Sequence, residues 1–381
     1  MNILYVGHTY SIKANQGKLL ALASHKNINL HLITPESWKG ALYEHKADIL
    51  TGPNITHHAL RTLFKGKEGG YVYLGGIKRI VRDFQPDILH VEQGAYAMSY
   101  AQLLLACKKY SPATRATFFT WWNLPYKAQG LKAFFQGFNL EHSSCAITGN
   151  AAAKEVLKAQ GFQRPIWVMP QIGVDLKDFS EHSYTEKPDA PIVIGYVGRI
   201  AEEKGVLDLA KAIGKLDNSK VVFRVVGKGE ALESLLRLAK ELGINLQCSE
   251  AIRNEEVPVV LKELDVLVLP SRTVATWMEQ FGHILIEAMA AKVAVVGSNS
   301  GEIPNVIGSA GVIFPEGNWE KLADILSEMQ SNRGRTAEIA AQGYKRVIEN
   351  YTNEKLAQRQ LEVYNWMLNE GTTVGNLVLK A

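Results

Sequence analysis

The 381-residue chain has no run of about 18 apolar residues, so a conventional membrane-spanning helix is excluded. Cysteine is scarce. Cys107, Cys145 and Cys248 stand apart without metal-ligand or redox spacing, and are expected as buried thiols of a reducing compartment. No Asp-x-Asp and no metal-spaced His/Cys cluster occurs, so no metal is expected and an anion must be held by cations and backbone amides. Low-complexity tracts are missing, and 46% of residues are hydrophobic against 21% charged, which excludes a disordered or fibrous chain. The amino terminus, MNILYVGHTY, lacks the basic segment and apolar core of a secretory leader and reads as a strand entering a loop. A cytoplasmic location is therefore expected.

What is present argues for two cores, because a chain of this length exceeds what one hydrophobic core usually covers. Charge is unevenly divided: residues 1–170 hold 19 Lys+Arg and 9 Asp+Glu, the remainder 23 and 29, giving +10 and −6. A basic first half suits an anionic partner such as a phospholipid surface, a lipid pyrophosphate or nucleic acid. Plain solubilising charge is the other reading.

Short apolar runs recur with helical segments between them, the pattern of a parallel sheet covered on both faces. The first half predicts strands at Ile3–Val6, Leu30–Ile33, Ile88–Val91, Thr117–Thr120, Cys145–Thr148 and Ile166–Met169. The second half predicts them at Ile192–Val197, Val221–Val226, Val266–Leu269 and Ala294–Val296, with helices at Leu207–Leu216 and Ala231–Leu242. Between the halves, the polar stretch Asp175–Pro191 reads as a linker. Thr352–Leu368 reads as one closing helix with an apolar stripe.

The chemistry concentrates in the second half. In Glu279-Gln-Phe281-Gly282-His283-Ile284-Leu-Ile-Glu287 a helix must start near Phe281 or Gly282. Glycine admits a ligand close to the backbone, and the open amides of a helix start suit phosphate oxygens. Glu279 can accept hydrogen bonds from sugar hydroxyls, and Glu287, inside the helix, can reach a ribose diol. An N-terminal glutamate favouring the helix dipole and a solvated helical glutamate are the alternatives. In Gly198-Arg199-Ile-Ala-Glu-Glu-Lys204-Gly205 a guanidinium fork and a compact ammonium can meet one anion, or remain solvated surface charges. Val225-Val-Gly227-Lys-Gly229 lacks the full Gly-x-Gly-x-x-Gly spacing; with Arg253-Asn-Glu-Glu256 it is placed to shape a nucleotide pocket.

Together these residues resemble the retaining GT-B glycosyltransferases of family 4, over nearly the whole chain. The Glu-x7-Glu pattern falls on Glu279 and Glu287, Gly-Arg…Lys-Gly on Gly198, Arg199, Lys204 and Gly205, Gly-Val-Asp on Gly173, Val174 and Asp175, and the strand-end Pro-Ser on Pro270 and Ser271. The resemblance implies an α/β fold of two Rossmann-like, doubly wound parallel-sheet domains facing a central cleft. An acceptor domain would occupy 1–178, a nucleotide-sugar donor domain 190–350, and a helix in 351–381 would cross back to the first domain. By that resemblance Arg199 and Lys204 hold the donor diphosphate, Glu279 the transferred hexose and Glu287 the ribose. The backbone of Phe281, Gly282, His283 and Ile284 completes the cradle, with Gly17, Gly198 and Arg253 bordering the donor. Arg199, Lys204 and Glu279 are the catalytic candidates. The implied reaction moves a hexose, with retention, from a nucleotide-diphosphate sugar such as UDP-glucose to a glycan or lipid-linked acceptor in polysaccharide biosynthesis. Neither metal nor separate cofactor is implied.

The first half departs from that pattern. Asn15-Gln16-Gly17-Lys18 replaces a glycine pair, so Gly17 alone can admit phosphates. Thr120-Trp121-Trp122-Asn123 stands where a histidine is common, which leaves His8, His90, Glu92 and Asn123 as candidate contacts to sugar or acceptor. The basic, aromatic stretch Lys127–Phe138 suits a membrane interface or lipid-linked acceptor, making the chain peripheral at the inner face of a membrane. Its phenylalanines as core is the other reading. Two further classes are weighed. A nicotinamide- or flavin-dependent oxidoreductase lacks its glycine fingerprint here, and a non-catalytic nucleic-acid-binding scaffold leaves Arg199, Lys204 and Glu279 unused; no nucleic-acid partner is expected.

Overall fold

Short, predominantly apolar runs become parallel strands buried on both faces in each half of the chain. The computed structural model describes residues 1–39, 44–179 and 190–371. The chain divides into a first unit, Met1–Gly173 with the stretch beginning at Asn353, and a second unit, Val174–Thr352.

In the first unit the strands are β1 (Asn2–Val6), β2 (Asn29–Pro35), a small antiparallel pair β3 (Ser37–Lys39) and β4 (Glu44–Lys46), β5 (Ile55–Leu60), a second such pair β6 (Thr62–Leu63) and β7 (Val72–Tyr73), then β8 (Ile88–Val91), β9 (Arg115–Thr120), β10 (Cys145–Thr148) and β11 (Ile166–Val168). Seven make one parallel sheet in the order β11-β10-β9-β8-β1-β2-β5. Its helices are α1 (Gly17–Ala23), α2 (Ile77–Phe84), α3 (Met98–Tyr110), α4 (Leu131–Glu141) and α5 (Ala151–Ala159). The last starts where the Asn150 side chain accepts the Ala153 amide at 2.7 Å.

Alternation along β1 feeds two core layers. Leu4 and Val6 meet Ile77, Val81, Leu103 and Leu104 of α2 and α3. Ile3 and Tyr5 share the other layer with Leu19 and Leu22 of α1 and with Leu356, Val363, Tyr364 and Met367 near the carboxyl end.

The second unit repeats this arrangement with β12 (Ile192–Val197), β13 (Val221–Val226), β14 (Leu246–Ser249), β15 (Val266–Leu269), β16 (Ala294–Ser298) and β17 (Val312–Phe314), all parallel in the order β14-β13-β12-β15-β16-β17. The helices are α6 (Val206–Ile213), α7 (Leu232–Glu241), α8 (Val257–Leu261), α9 (His283–Ala290), α10 (Ile303–Ile307), α11 (Trp319–Ser331) and α12 (Arg333–Asn350). Closing the chain, α13 (Asn353–Glu370) supplies the carboxyl-end residues of the first unit's core. Strand order reverses beside β1 in the first sheet and beside β12 in the second. Loops leaving the carboxyl ends there are where open α/β sheets bind ligands.

The predicted strands are all present. Unpredicted are the two short antiparallel pairs β3/β4 and β6/β7 and, in the parallel sheets, β5, β14 and β17, edge strands whose half-solvated positions carry polar residues or are too few to form a run. Cys107 and Cys145 are buried, whereas Cys248 is exposed on edge strand β14, which corrects the expectation of three buried thiols. Of the predicted linker, Leu176–Phe179 forms a 3-10 turn and residues 180–189 lie outside the described residues, as does the tail beyond Gly371. Among the described residues no helix is long and apolar enough to cross a membrane.

Candidate active site

In the second unit the loops after β12 and β15 close on one another at the switch point. Gly205 adopts the left-handed conformation, φ 68°, and a Cβ there would stand 1.9 Å from the Pro270 carbonyl oxygen, so only glycine lets the Arg199–Lys204 loop lie against the end of β15. That approach delivers Lys204 to Glu279: Nζ donates to Oε2 at 2.8 Å, and the Ser271 hydroxyl donates to the same oxygen at 2.8 Å. The Lys204 ammonium also sits 4.3 Å from the Trp277 ring centroid, a cation–π distance.

The segment from Ser271 to Glu279 is pinned along its length. Arg272 grips the buried Asp208 of α6 with Nε and a terminal nitrogen, each at 2.5 Å, and its amide donates to the Glu203 carbonyl at 2.7 Å. Val274 and Trp277 exchange backbone hydrogen bonds of 2.9 and 3.2 Å, closing a tight turn. Thr273 gives its amide to Glu316 at 2.6 Å. The sequence reading missed Trp277, Arg272 and Asp208. The lone signal was the unusual length of polar chain between Ser271 and Glu279.

Helix α9 begins as expected. Gly282 is left-handed, φ 78°, with a Cβ position 2.7 Å from a Leu269 methyl, and Phe281 is buried against His283 and Tyr351. The amides of His283 and Ile284 belong to the first turn, where helix N–H groups have no intrahelical acceptor. One and a half turns on, Glu287 is largely withdrawn from water, which pushes its carboxyl up to about 7. It is therefore not the fully solvated helical glutamate of the alternative reading.

Arg199 stands differently from its expected partner. Its guanidinium pairs with Glu203 and, at 3.3 Å, with Glu230, while Lys204 pairs with Glu279, so the two cations do not share an anion in this structure. Gly198 leads into this loop, its amide bonded to the Val226 carbonyl at 3.0 Å. Arg253 caps the short turn before α8 and lies 82% exposed against Glu256 at 3.4 Å; the structure does not bring it to the Lys204–Glu279 pair.

The first unit places its candidates around a buried charge. Glu92, just past β8, receives Lys18 at 3.3 Å, the Tyr10 hydroxyl at 2.7 Å, and the Tyr5 hydroxyl and Gln171 amide. Both Lys18 and Glu92 are fully buried. Burial alone would raise the Glu92 carboxyl, but the Lys18 charge and hydrogen bonds from His90 and Tyr5 hold it down at about 2. His90 stacks on Tyr5 at 4.3 Å and meets the Tyr364 hydroxyl at 2.9 Å through Nδ1. His90 and Glu92 thus lie buried in the first unit's core; side-chain accessibility is invisible in a local pattern.

His8, on the loop after β1, stacks on Trp38 at 4.4 Å, and burial lowers the pKa of its imidazole. Its Nδ1 is buried without a hydrogen-bond partner. Asn123 is buried on the stretch after β9. Gly17 opens α1, and a Cβ there would stand 2.2 Å from the Asn353 amide nitrogen, so close packing against α13 accounts for this glycine independently of any ligand. Among the described residues no group of three His, Cys, Asp or Glu side chains could hold a metal.

Two Rossmann-like units, with cations and carboxylates gathered at the second unit's switch point, make up the architecture of a two-domain α/β enzyme. The chain matches the glycosyl transferases group 1 family over residues 178–346 and the glycosyl transferase 4-like family over residues 3–150, and it belongs to the GT-B glycosyltransferases. A capsular polysaccharide biosynthesis glycosyltransferase of Staphylococcus aureus is 27% identical over 241 residues, 59% of this chain and 59% of that protein. A GDP-mannose-dependent phosphatidylinositol monomannoside mannosyltransferase of Mycobacterium tuberculosis is 27% identical over 180 residues, 46% of each chain. The chain thus spans about half of the length of the curated relatives it matches.

Among solved structures, sucrose-phosphate synthase of Thermosynechococcus elongatus aligns over 97% of this chain and 99% of its own with TM-score 0.69 and 16% identity. The Anabaena protein HepE, solved with UDP, aligns over 96% and 100% with TM-score 0.66 and 15% identity. These likenesses establish the fold. The family sets the chain apart from nicotinamide- or flavin-dependent oxidoreductases.

Proposed function

We propose that this protein transfers a hexose, with retention, from a nucleoside diphosphate sugar, UDP-glucose or a related UDP-hexose, to a glycan or lipid-linked acceptor in polysaccharide biosynthesis. The observation that carries this reading is the Lys204–Glu279 pair at 2.8 Å, beside the first turn of α9. An ammonium and a helix start can take the departing diphosphate, and a carboxylate a few ångströms away can hold sugar hydroxyls. The HepE complex with UDP supports the uridine base, and the capsular polysaccharide relative supports the polymer product.

Donor binding is assigned to the second unit. Lys204 turns from Glu279 to the diphosphate, and Arg199 leaves Glu203 and Glu230 to join it. The backbone from Phe281 to Ile284 takes phosphate oxygens, Glu279 the hexose and Glu287 the ribose diol; Gly198 and Arg253 border the nucleotide. Acceptor binding is assigned to the first unit, where His8, His90, Glu92 and Asn123 are the candidates. As the C1–phosphate bond breaks, the acceptor oxygen attacks the same face of an oxocarbenium-like sugar and its proton passes to the departing phosphate oxygen. The cations carry the charge that grows on the diphosphate, so no metal is required.

A thermal-shift panel of UDP, GDP, ADP and their hexose conjugates tests the assignment. A ligand at a hundred times its dissociation constant stabilises by about 2.7 kcal/mol, and a uridine nucleotide should do so. Lys204→Ala or Arg199→Ala should abolish the shift and lower turnover about a hundred- to thousandfold. Stabilisation by nicotinamide or flavin but by no nucleoside diphosphate would overturn the reading. The product's anomeric NMR signal should show the donor's configuration and EDTA should leave the rate unchanged; inversion, or loss of activity restored by divalent metal, would reject that part of the mechanism.

A further inference from the structure

Trp277 is a bulky ring on a turn that otherwise faces water: Val274, Ala275 and Thr276 before it are exposed. The second unit's core is built elsewhere, by side chains of β12, β13, β15 and β16 and the helices over them. The turn is nevertheless fixed. Val274 and Trp277 exchange two backbone hydrogen bonds, Thr273 gives its amide to Glu316 at 2.6 Å and its hydroxyl meets that of Ser300 at 2.9 Å, and Asn299 holds the Glu316 amide at 2.8 Å. The Arg272 amide is bonded to the carbonyl of Glu203 at 2.7 Å, one residue before Lys204, which ties the turn to the lysine's own backbone.

Lys204 gives this ring a purpose that core packing does not. Its ammonium stands 4.3 Å from the indole centre and 2.8 Å from a Glu279 carboxylate oxygen. The lysine side chain is 19% exposed and that of Glu279 9%, so water screens the contact less than it would at an open surface. The two partners act differently on the cation. A carboxylate competes with an arriving diphosphate for the same charge. The indole face attracts the ammonium through its quadrupole and carries no net charge, so it keeps the cation in place while the anion binds. It also restricts a flexible four-carbon stem, whose freedom would otherwise be lost when the anion is bound.

We propose that Trp277 is a positioning residue for Lys204: its ring holds the ammonium beside the end of β15 and presents it to a diphosphate as the Glu279 ion pair opens. Trp277 acts through Lys204 rather than by touching the nucleotide. The inference rests on the donor reading above, because Lys204 must meet a diphosphate, and it is independent of the base and of the sugar.

The test compares W277F, which keeps a ring, with W277M, an apolar side chain of similar volume without one, in the full chain titrated with UDP, GDP and ADP. A contact of this kind changes binding from a few-fold to about thirtyfold. For the nucleotide that the wild type binds, W277M should weaken affinity about tenfold and W277F by no more than about threefold. Inorganic pyrophosphate, which has neither base nor sugar to stack on a ring, should show the same order. A second readout needs no ligand. In protein labelled at its lysines, the Lys204 ε-methylene signal, identified by its loss in K204R, should lie upfield of the other lysines, because a ring face shields nuclei above it. W277M should return that signal to the ordinary position and W277F should keep part of the displacement. Equal losses of affinity in W277F and W277M, or an unshielded Lys204 in the wild type, overturn the proposal. So does a loss confined to nucleotides and absent with pyrophosphate, which would make Trp277 a direct ligand contact, and so does a W277M chain that does not fold, which would make the ring a structural side chain. A nucleotide bound equally by wild type and W277M sinks this inference alone; a wild type that binds none of the three sinks the donor reading and this inference with it.

Discussion

Glu287 shows how one side chain's surroundings set an energetic cost. Its carboxyl is pushed up to about 7 because burial penalises the charged form. In the unfolded chain it ionises near its ordinary value, so as pH rises from the ordinary carboxylate range to about 7 the folded state resists losing its proton and stability falls. Above that pH the loss is constant. Glu287→Gln should therefore stabilise the protein at pH 8 by on the order of 2 kcal/mol and by almost nothing near pH 4, measured by urea unfolding at both. An equal gain at the two pH values would mean that ionisation is not the cause. Glu92 is the opposite case: buried still more deeply, it stays ionised because Lys18, also buried, faces it. Removing one partner of such a pair leaves an uncompensated interior charge, which explains why these two residues support the fold at the first unit's switch point.

At the scale of elements, the Ser271–Glu279 segment behaves as a braced arm. It carries Trp277 and Glu279 to Lys204, and its brace is the bidentate contact of Arg272 with Asp208. Asp208→Asn keeps the volume and removes the charge. It should lower kcat/KM about tenfold through misplacement of Glu279 and Lys204, since small displacements of positioning groups cost rate steeply. Because the two residues act as one contact, Arg272→Ala added to Asp208→Asn should cost little more. Independent, multiplying losses would show that the arm is not held this way. Helix α4 illustrates a different kind of element: Gln136 and Asn139 are its buried positions, Phe138 and Leu140 pack on the core beside them, and Leu131 and Phe134 are exposed.

At the scale of the whole chain, the last helix belongs to the first unit although the whole second unit, Val174–Thr352, stands between it and that unit's sheet in sequence. Leu356, Val363, Tyr364 and Met367 complete the layer built by Ile3, Tyr5, Leu19 and Leu22. Each buried side chain of this size contributes about 1.5–3 kcal/mol. A chain truncated before Asn353 should accordingly fail to fold its first unit, read out as insoluble expression or loss of near-UV circular dichroism. A soluble truncated chain melting at the wild-type temperature would count against that dependence.

Much of the fold was legible because strands buried on both faces must be apolar at successive positions, a signal that survives without neighbours. Ile3–Val6 and Val221–Val226 announce themselves; β5, with His57 and His58, and β14, with Gln247, do not, since an edge position tolerates polar side chains. The donor candidates were legible for a related reason: a glycine at a helix start and charged residues beyond strand ends follow from local backbone chemistry. Pairing and burial were not. Lys204 meets Glu279 across 75 residues and Lys18 meets Glu92 across 74, and Arg199 turns to Glu230 rather than to the same anion as Lys204. The sequence by itself determined the strands, the turns and the residue types at the loops. Only the tertiary structure decided which charges neutralise one another and which face of α4 meets water, because burial and ion pairing are properties of neighbours brought together by folding.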